Sequence, residues 1–189
     1  MDSGRHAEQQ EAGFFRSLLE FVVMLAVVLG AAFLLRTYVV APYEIPSSSM
    51  ETTIMVGDKV FSEKISYYSR GVQPGDIVTF QDPEVASRTL IKRCIATGGQ
   101  TVDLIDGVVY VDGEAQADTY AQGSSYPLTP AVGVEIEYPY TVPEGCIWVM
   151  GDNRENSQDS RYFGAVPESS VSGHAFFVYW PLDRMGVLF

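Results

Sequence analysis

The chain has 189 residues, of which 47% are hydrophobic and 19% charged, and its formal net charge is −12 at pH 7. This composition supports one packed domain with a tail, and it argues against a disordered chain. The acidic balance argues against a nucleic-acid-binding protein, because following a phosphate backbone requires a basic face. With two cysteines and two histidines, the sequence predicts neither a zinc site of the usual kind nor any other metal or cofactor.

The first long apolar run is FVVMLAVVLGAAFLL, 15 residues from Phe21 to Leu35. Counting back across Glu20 lengthens it to about 22 residues, and a membrane-spanning helix needs about 20. A cleaved signal peptide would have a shorter run, a basic start and a small-residue cleavage site. A buried helix of a soluble protein would show a polar face. Neither matches, so we predict a single transmembrane helix.

The predicted boundaries place a cytoplasmic tail at residues 1–16, the transmembrane helix at residues 17–40 and an extracytoplasmic domain at residues 41–189. Arginines lie at both ends of the apolar run, at positions 5, 16 and 36. The tail also carries acidic residues, so the positive-inside rule gives this orientation only weak support. We therefore predict a single-pass protein of the plasma membrane, with its N-terminus in the cytoplasm.

Beyond residue 41 the sequence reads as short strands separated by turn signals such as QPGD, TGGQ and VPEG. The predicted strands are KVFSEKI (59–65), DIVTF (76–80), RTLIKRCIA (88–96), GVVYVDGE (107–114), VEIEYPYTV (134–142) and CIWVMGD (146–152). Residues 116–133 are rich in Ala, Gly, Ser, Pro and Tyr and are predicted to form a loop or insertion. The predicted fold class is mainly β, with antiparallel sheets following one transmembrane helix.

Three consecutive serines stand in IPSSSM, residues 45–50. A polar linker is the usual interpretation of such a triplet. Here a rigid proline precedes the serines and apolar side chains flank them, which a solvated linker does not need. If the segment is extended, Ser47 and Ser49 share one face, and Ser48 points the other way. Two hydroxyls on one face can act as nucleophile and oxyanion donor.

A nucleophilic serine needs a base, and the histidines are poor candidates. His6 lies in the tail, and His174 has no carboxylate pattern beside it, so a structural role is more common for such a residue. The alternative base is a neutral lysine. Lys59 and Lys64 have acidic neighbours, which favour the charged form. Lys92 remains as the candidate base.

Lys92 lies in the predicted strand TLIKRCIA, where alternation places it on one face with Leu90, Cys94 and Ala96. Burial in such an apolar row disfavours the ammonium form and lowers the pKa of a lysine. Alternatively, the side chain extends to solvent from an edge strand. The periodicity alone leaves both interpretations open.

Four segments together resemble the ordered sequence boxes of bacterial type I signal peptidases: IPSSSM, GDIVTF (75–80), LIKRCIA (90–96) and GDNRENSQDSR (151–161). The resemblance spans residues 18–183. It implies that Ser49 is the nucleophile and Lys92 the general base of a Ser/Lys dyad. It further implies that Ser47 and the Ser49 amide form the oxyanion hole, and that Ser157 hydrogen-bonds and orients the lysine.

The resemblance also implies supporting and substrate-binding residues. Asp159 with Arg161, and Asp152 with Arg93, match ion pairs beside the site. The residues matching the family's shallow substrate pockets are Tyr43, Ile45, Pro46, Ile54, Leu90 and Ile91. By this resemblance the chain is a serine endopeptidase that removes signal peptides from secretory preproteins after small residues of the Ala-x-Ala type. Its implied partners are therefore secretory preproteins and the lipid bilayer.

Some features depart from the family or remain open. Thr52 stands where the family commonly has proline. Cys94 and Cys146 either pair, as an oxidising compartment permits, or serve as small core residues. A self-cleaving transcriptional regulator of the Ser/Lys class would need a DNA-binding domain, and the sequence has a hydrophobic span instead. The remaining alternative is a membrane-anchored β domain without catalytic activity that binds envelope partners.

Overall fold

The computed structural model describes the backbone of residues 3–188 and the side chains of residues 16–34 and 39–188. It consists of a helical unit up to Val39 and a β unit from Val40 onward.

The helical unit is α1, a single helix of 36 residues from Ser3 to Tyr38. Within it, Arg16–Leu34 has a mean hydropathy of 2.4, and none of its side chains is buried. Of the helices in the described residues, this is the one long and apolar enough to cross a membrane. The predicted N-terminal apolar helix is therefore confirmed as a helix. Arg16 and Glu20 form an exposed ion pair of 3.0 Å at its start.

The β unit contains twelve strands and several short helices within the described residues. The strands are β1 (Val40–Glu44), β2 (Lys59–Glu63), β3 (Ile77–Gln81), β4 (Thr89–Thr97), β5 (Thr101–Ile105), β6 (Val108–Val111), β7 (Glu114–Ala115), β8 (Tyr140–Thr141), β9 (Cys146–Met150), β10 (Val166–Pro167), β11 (Val171–Trp180) and β12 (Gly186–Val187). The helices are α2 (Ser66–Ser69), α3 (Ser160–Phe163) and the 3₁₀ turns Arg154–Asn156, Glu168–Ser170 and Leu182–Arg184.

The strands form two antiparallel sheets. The larger sheet has the order β1-β2-β11-β3-β4-β9-β10, with β12 also paired to β11. The smaller sheet has the order β7-β6-β5-β8. Every strand pair in both sheets is antiparallel. The predicted fold class, mainly β with antiparallel sheets, is confirmed.

Strand β4 lies inside the larger sheet, between β3 and β9. Its residues Lys92 to Ala96 are all buried, so both faces of the strand are covered. One prediction for this strand is wrong: Ala96 does not continue the face of Cys94. A register shift lies between Cys94 and Ala96, and Ile95 and Ala96 both pack in the cluster around Trp148. Such a bulge interrupts the alternation on which the prediction depended.

The strand predictions from the sequence also missed β1, β5, β10, β11 and β12. They merged β6 and the start of β7 into one strand at 107–114, and they were wrong for most of residues 134–142. In that segment only Tyr140–Thr141 forms a strand. The burial does alternate, because Ile136 and Tyr138 pack against the cluster around Trp148 while their neighbours are exposed. An alternating pattern therefore arose from side-chain packing without a paired backbone, and Pro139 supplies no N–H to a ladder.

Both cysteines carry free thiols. Cys94 is fully buried in one core cluster with Phe80 and Val149, whereas Cys146 packs against the cluster around Trp148. Of the two alternatives left open by the sequence, the structure has the cysteines as small core residues.

Candidate active site

The three serines lie on a loop that leaves β1 and is fixed to the core on both sides. At its base, the Ile45 N–H donates to the Asp58 carbonyl (2.9 Å), and the Gly57 N–H donates to the Ile45 carbonyl (2.8 Å). Met50 and Ile54 are fully buried and pull the loop onto the core. The serines form bends and turns here, so the extended conformation considered from the sequence does not occur.

Ser49 and Lys92 meet from distant parts of the chain. Lys92 Nζ lies 2.6 Å from Ser49 Oγ, within hydrogen-bond distance. The lysine is 3% exposed and the serine 7%. Lys92 pairs with Val78 of β3 in the sheet, so the strand fixes its backbone. Because the amine is buried, the alternative in which the side chain extends to solvent does not hold.

Burial lowers the pKa of Lys92 from its ordinary 10.5 to about 8. The negative charges of Asp159 and Asp152 act in the opposite direction, and the positive charges of Arg88 and Arg161 assist the lowering. Desolvation is the largest of these effects. The amine is therefore half deprotonated at a pH near 8, where it can accept a proton.

The other two serines of the loop have different surroundings. Ser47 Oγ lies 3.5 Å from Ser49 Oγ, so the two hydroxyls face the same space. Ser48 Oγ accepts a hydrogen bond of 2.7 Å from the Asn156 side chain, and the Ser48 carbonyl accepts one of 3.1 Å from the Asn153 side chain. Ser48 is thus used to join this loop to the segment after β9.

Ser157 lines a cavity that is also lined by Ser49 and Lys92. Its hydroxyl is buried and makes no hydrogen bond with any described residue. The hydrogen bond from Ser157 to Lys92 that the resemblance implies is thus not among the bonds in this structure. Ser157 is instead packed against Gly151, which also faces the Ser49 carbonyl oxygen.

The four charged residues expected near the site form two buried ion pairs. Arg93 donates to both oxygens of Asp152 at 2.9 and 2.7 Å, and the side chains are 1% and 0% exposed. Arg161 donates to both oxygens of Asp159, at 2.9 Å each. Asp159 also accepts a hydrogen bond of 3.0 Å from the Gly151 N–H. Because such paired donors and acceptors fix one geometry, these contacts hold the segment that contains Ser157.

A cavity of about 640 Å³ opens beside Ser49 and Lys92. Its walls come from the serine loop, the start of β4, the β3–β4 turn, the segment after β9 and a part of the loop predicted at residues 116–133. The lining residues are Ser47, Ser49, Asp82, Glu84, Arg88, Leu90, Lys92, Leu128, Thr129, Glu155, Asn156, Ser157, Gln158, Tyr162 and Phe163. A peptide segment that enters this cavity reaches the serine hydroxyl.

Of the six predicted substrate-binding residues, Leu90 lines this cavity. The other five do not. Ile45 and Ile54 are buried in a core cluster, against which Tyr43 and Ile91 pack while partly exposed. Pro46 is exposed.

His174 does not line the cavity either. It lies on β11, with Nδ1 3.6 Å from a Glu63 oxygen and Nε2 3.9 Å from an Asp76 oxygen. This position agrees with the structural role expected for a lone histidine.

The sequence interpretation missed Arg154, which is 2% exposed. It donates to the Gly151 carbonyl (3.1 Å), the Asp118 carboxylate (2.5 Å) and the Ser125 hydroxyl (2.6 Å). It also missed Tyr120, whose ring lies 3.9 Å from the Arg93 guanidinium. The signal available was the density of charge in GDNRENSQDSR, since charges in a segment that must pack against a strand need partners.

Comparison with known proteins decides the family. The model of the family described as "Signal peptidase, peptidase S26" matches residues 18–180. The chain belongs to this family. As a signal peptidase of this type, it is a serine endopeptidase, and the recognition made from its four sequence boxes is confirmed.

Curated relatives agree with this family. The probable signal peptidase I-1 of Synechocystis sp. is 40% identical over 176 residues, covering 89% of this chain and 86% of the relative. The signal peptidase I of Mycobacterium tuberculosis (strain H37Rv) is 33% identical, covering 91% of this chain and 76% of the relative. The crystal structure of a signal peptidase I from Enterococcus faecalis V583 matches with a TM-score of 0.44 and 31% identity, covering 56% of this chain and 97% of that one.

Proposed function

We propose that this member of the signal peptidase family removes N-terminal signal peptides with Ser49 as nucleophile and Lys92 as general base. The observation that carries the assignment is the 2.6 Å contact between a buried lysine amine and a serine hydroxyl at the wall of a cavity. The removal of signal peptides follows from the family and from relatives that are 32–40% identical over most of the chain.

The first half of the reaction is acylation. The neutral amine of Lys92 accepts the proton of the Ser49 hydroxyl while Ser49 Oγ attacks the scissile carbonyl carbon. The negative charge that develops on the carbonyl oxygen needs donors, and the Ser47 hydroxyl and the Ser49 N–H are the candidates. The ammonium of Lys92 then donates its proton to the departing amine of the mature protein. The signal peptide is left as an ester on Ser49.

The second half of the reaction reverses these proton transfers with water as the attacking group. Lys92 is neutral again and accepts a proton from a water molecule. The oxygen of that water attacks the carbonyl carbon of the ester. The Ser49 oxygen leaves with the proton held by Lys92, and the signal peptide is released with a free carboxylate. One base therefore serves both steps, and Lys92 is the titratable side chain that supports this role through its contact with Ser49 Oγ.

The proposed substrates are secretory preproteins cleaved after small residues of the Ala-x-Ala type. An apolar subsite with fixed walls admits alanine and rejects larger side chains. Leu90 borders the cavity, and Tyr43, Ile45, Ile54 and Ile91 pack in or against the core cluster that contains Met50, the residue after Ser49. Their contact with substrate is part of the proposal.

We further propose a single-pass topology in the plasma membrane, with the N-terminus in the cytoplasm and the β unit outside. The exposed apolar segment Arg16–Leu34 and the family's membrane association support an anchor. The topology is measured by the accessibility of the β unit to added protease in spheroplasts. Digestion of the β unit without lysis is expected. Protection of the β unit until lysis would contradict the proposed orientation.

The test of the reaction is cleavage of a purified preprotein by the detergent-solubilised full chain. Wild type is compared with Ser49→Ala, Lys92→Met and Ser48→Ala, and the product N-terminus is read by mass spectrometry. Wild type and Ser48→Ala are expected to cleave after an Ala-x-Ala site, and the other two to be inactive. Equal cleavage by Ser49→Ala would assign the chemistry to another residue.

The alternative of a non-catalytic, membrane-anchored binding domain is not favoured. Such a domain gains nothing from a buried lysine amine, whose desolvation is unfavourable, placed against a serine hydroxyl. This alternative would be supported if a folded wild type did not cleave any preprotein and if Ser49→Ala still bound its partner.

A further inference from the structure

Residues 118–131, here called the 118–131 loop, are joined to the segment 151–162 along their length. Asp118 and Ser125 both accept hydrogen bonds from Arg154 Nη1, at 2.5 and 2.6 Å. Gln122 forms a bridge with that segment, since its N–H donates to the Asp152 carbonyl (2.7 Å) and its carbonyl accepts from the Arg154 N–H (2.8 Å).

Further contacts extend the attachment toward both ends of the loop. The Tyr120 ring covers the Arg93 guanidinium at 3.9 Å, and the Tyr120 hydroxyl donates to Asp118 at 3.0 Å. Near the far end, the Ala131 N–H donates to the Tyr162 carbonyl at 2.9 Å. The loop therefore has one conformation relative to the ion pairs that hold the segment of Ser157.

The attached loop brings two of its residues to the catalytic cavity. Leu128 and Thr129 line it together with Ser49 and Lys92. Leu128 is half-buried, whereas Val132, four residues later, is fully exposed. The other apolar side chains that border the cavity are Leu90, Tyr162 and Phe163, which belong to or pack against the core cluster around Phe80. Leu128 is the aliphatic side chain that the loop adds to this cavity.

We propose that Leu128 is a specificity-determining residue, whose side chain limits the size of the substrate side chain accepted beside the scissile bond. This inference rests on the proposed function of the Ser49 site. A wall residue acts in this way only if it stays in place when substrate enters. The contacts on either side of Leu128, from Arg154 to Ser125 and from Ala131 to Tyr162, supply that rigidity. Shortening Leu128 enlarges the cavity, and enlarging Leu128 narrows it.

The experiment measures kcat/KM of the full chain in detergent with two peptide series. In one series the residue before the scissile bond is Ala, Val, Leu or Phe, and in the other the residue after it varies in the same way. Wild type is compared with Leu128→Ala, Leu128→Phe and the control Val132→Ala. Each variant is reported as the ratio of kcat/KM for each larger residue to that for Ala, which does not depend on the amount of folded enzyme.

In one of the two series, Leu128→Ala is expected to raise the ratio for Val or Leu about tenfold, the lower end of the discrimination that one methylene gives in an apolar pocket. Leu128→Phe is expected to lower the same ratio, and Val132→Ala to match wild type. Unchanged ratios in both series for both Leu128 variants would overturn the inference. Should Leu128→Ala not fold, the Leu128→Phe comparison gives the same decision.

Ser49→Ala, measured in the same assay, separates this inference from the proposed function. If Ser49→Ala is inactive and the Leu128 ratios are unchanged, the specificity role fails and the dyad stands. If Ser49→Ala cleaves as well as wild type, the proposed function fails, and the inference about Leu128 fails with it.

Discussion

Gly151 packs directly against Ser157. A methyl group on Gly151 would lie 2.6 Å from Ser157 Cβ, and closer still to Ser157 Oγ and the Ser49 carbonyl oxygen. No real Cβ approaches other atoms so closely, so the segment after β9 and the serine loop can approach this closely at position 151 because that residue has no side chain. This contact joins the two parts of the chain that carry Ser49 and Ser157.

Gly151→Ala is therefore expected to separate these two parts and to lower kcat/KM roughly 100-fold, because displacements of about 1 Å at reacting groups have such effects. The measurement is preprotein cleavage with initial rates. Gly71→Ala is the control, since a methyl group there meets only one atom, at an ordinary distance of 3.7 Å. Activity of Gly151→Ala within twofold of wild type would mean that the Ser49 loop does not depend on this contact.

Burial of Lys92 has a cost in stability. Its pKa falls from 10.5 to about 8 in the folded chain, so folding disfavours the protonated form. At about 1.4 kcal/mol per pKa unit, the free energy of unfolding at pH 7 is lowered by about 3 kcal/mol. Below pH 8 the penalty is constant. It then decreases as the pH rises from about 8 to 10.5, where the unfolded chain binds more protons than the folded one.

Lys92→Met is accordingly expected to be inactive and yet more stable than wild type at pH 7. Thermal unfolding in detergent measures the difference, which is expected to shrink when both proteins are unfolded at pH 10. Lys59→Met is the matched control, because Lys59 is partly exposed and lies 3.9 Å from its acidic neighbour Glu44. A Lys92→Met variant that melts below wild type at pH 7 would contradict the desolvation argument.

Asp152→Asn tests the buried ion pair with Arg93. In the wild type, the Asp152 carboxylate faces the buried Arg93 guanidinium and also accepts a hydrogen bond of 2.5 Å from the Thr53 hydroxyl. The substitution removes the negative charge of that carboxylate. Removing one partner of a buried pair costs about 3–5 kcal/mol, because an uncompensated charge remains. The expected result is a much lower melting temperature together with reduced activity.

Glu44→Gln serves as the exposed comparison for Asp152→Asn. Its pair with Lys59 is long and lies near the surface, so a change within about 0.5 kcal/mol is expected. If Asp152→Asn melts at the same temperature as Glu44→Gln, the Arg93–Asp152 pair is not a structural support of the site.

Much of the fold class was predictable from the sequence, because apolar length and alternation report on burial. The apolar run of residues 21–35 has no polar face, unlike a helix at the surface of a globular protein, and β3, β4 and β9 contain several β-branched residues. Strand β11 was missed because its two register shifts against β2 break the alternation on which a strand is recognised. Residues 134–139 show the reverse case, an alternating pattern without a ladder.

The contact between Ser49 and Lys92 was predictable only in part from the residues themselves. Alternation paired Ser47 with Ser49 on an extended segment that does not form, although the two hydroxyls do lie 3.5 Å apart. Alternation also left a buried Lys92 as one of two interpretations, and the family resemblance completed the assignment. The supporting layer was not predictable in the same way. Arg154 has two partners, Asp118 and Ser125, which lie 36 and 29 positions away in a segment whose sequence resembles a flexible loop. Such long-range pairs leave no periodic signal in a single sequence.

The central claim is that the neutral amine of Lys92 takes the proton of Ser49, and the pH dependence of kcat/KM tests it most directly. The profile of the free enzyme reports the pKa of the essential base. With burial holding the pKa of Lys92 near 8, activity is expected to rise tenfold per pH unit below that value and to level off above it. A rise centred near pH 6.5, as for a histidine, or a profile that is flat from pH 6 to 10, would contradict Lys92 as the base.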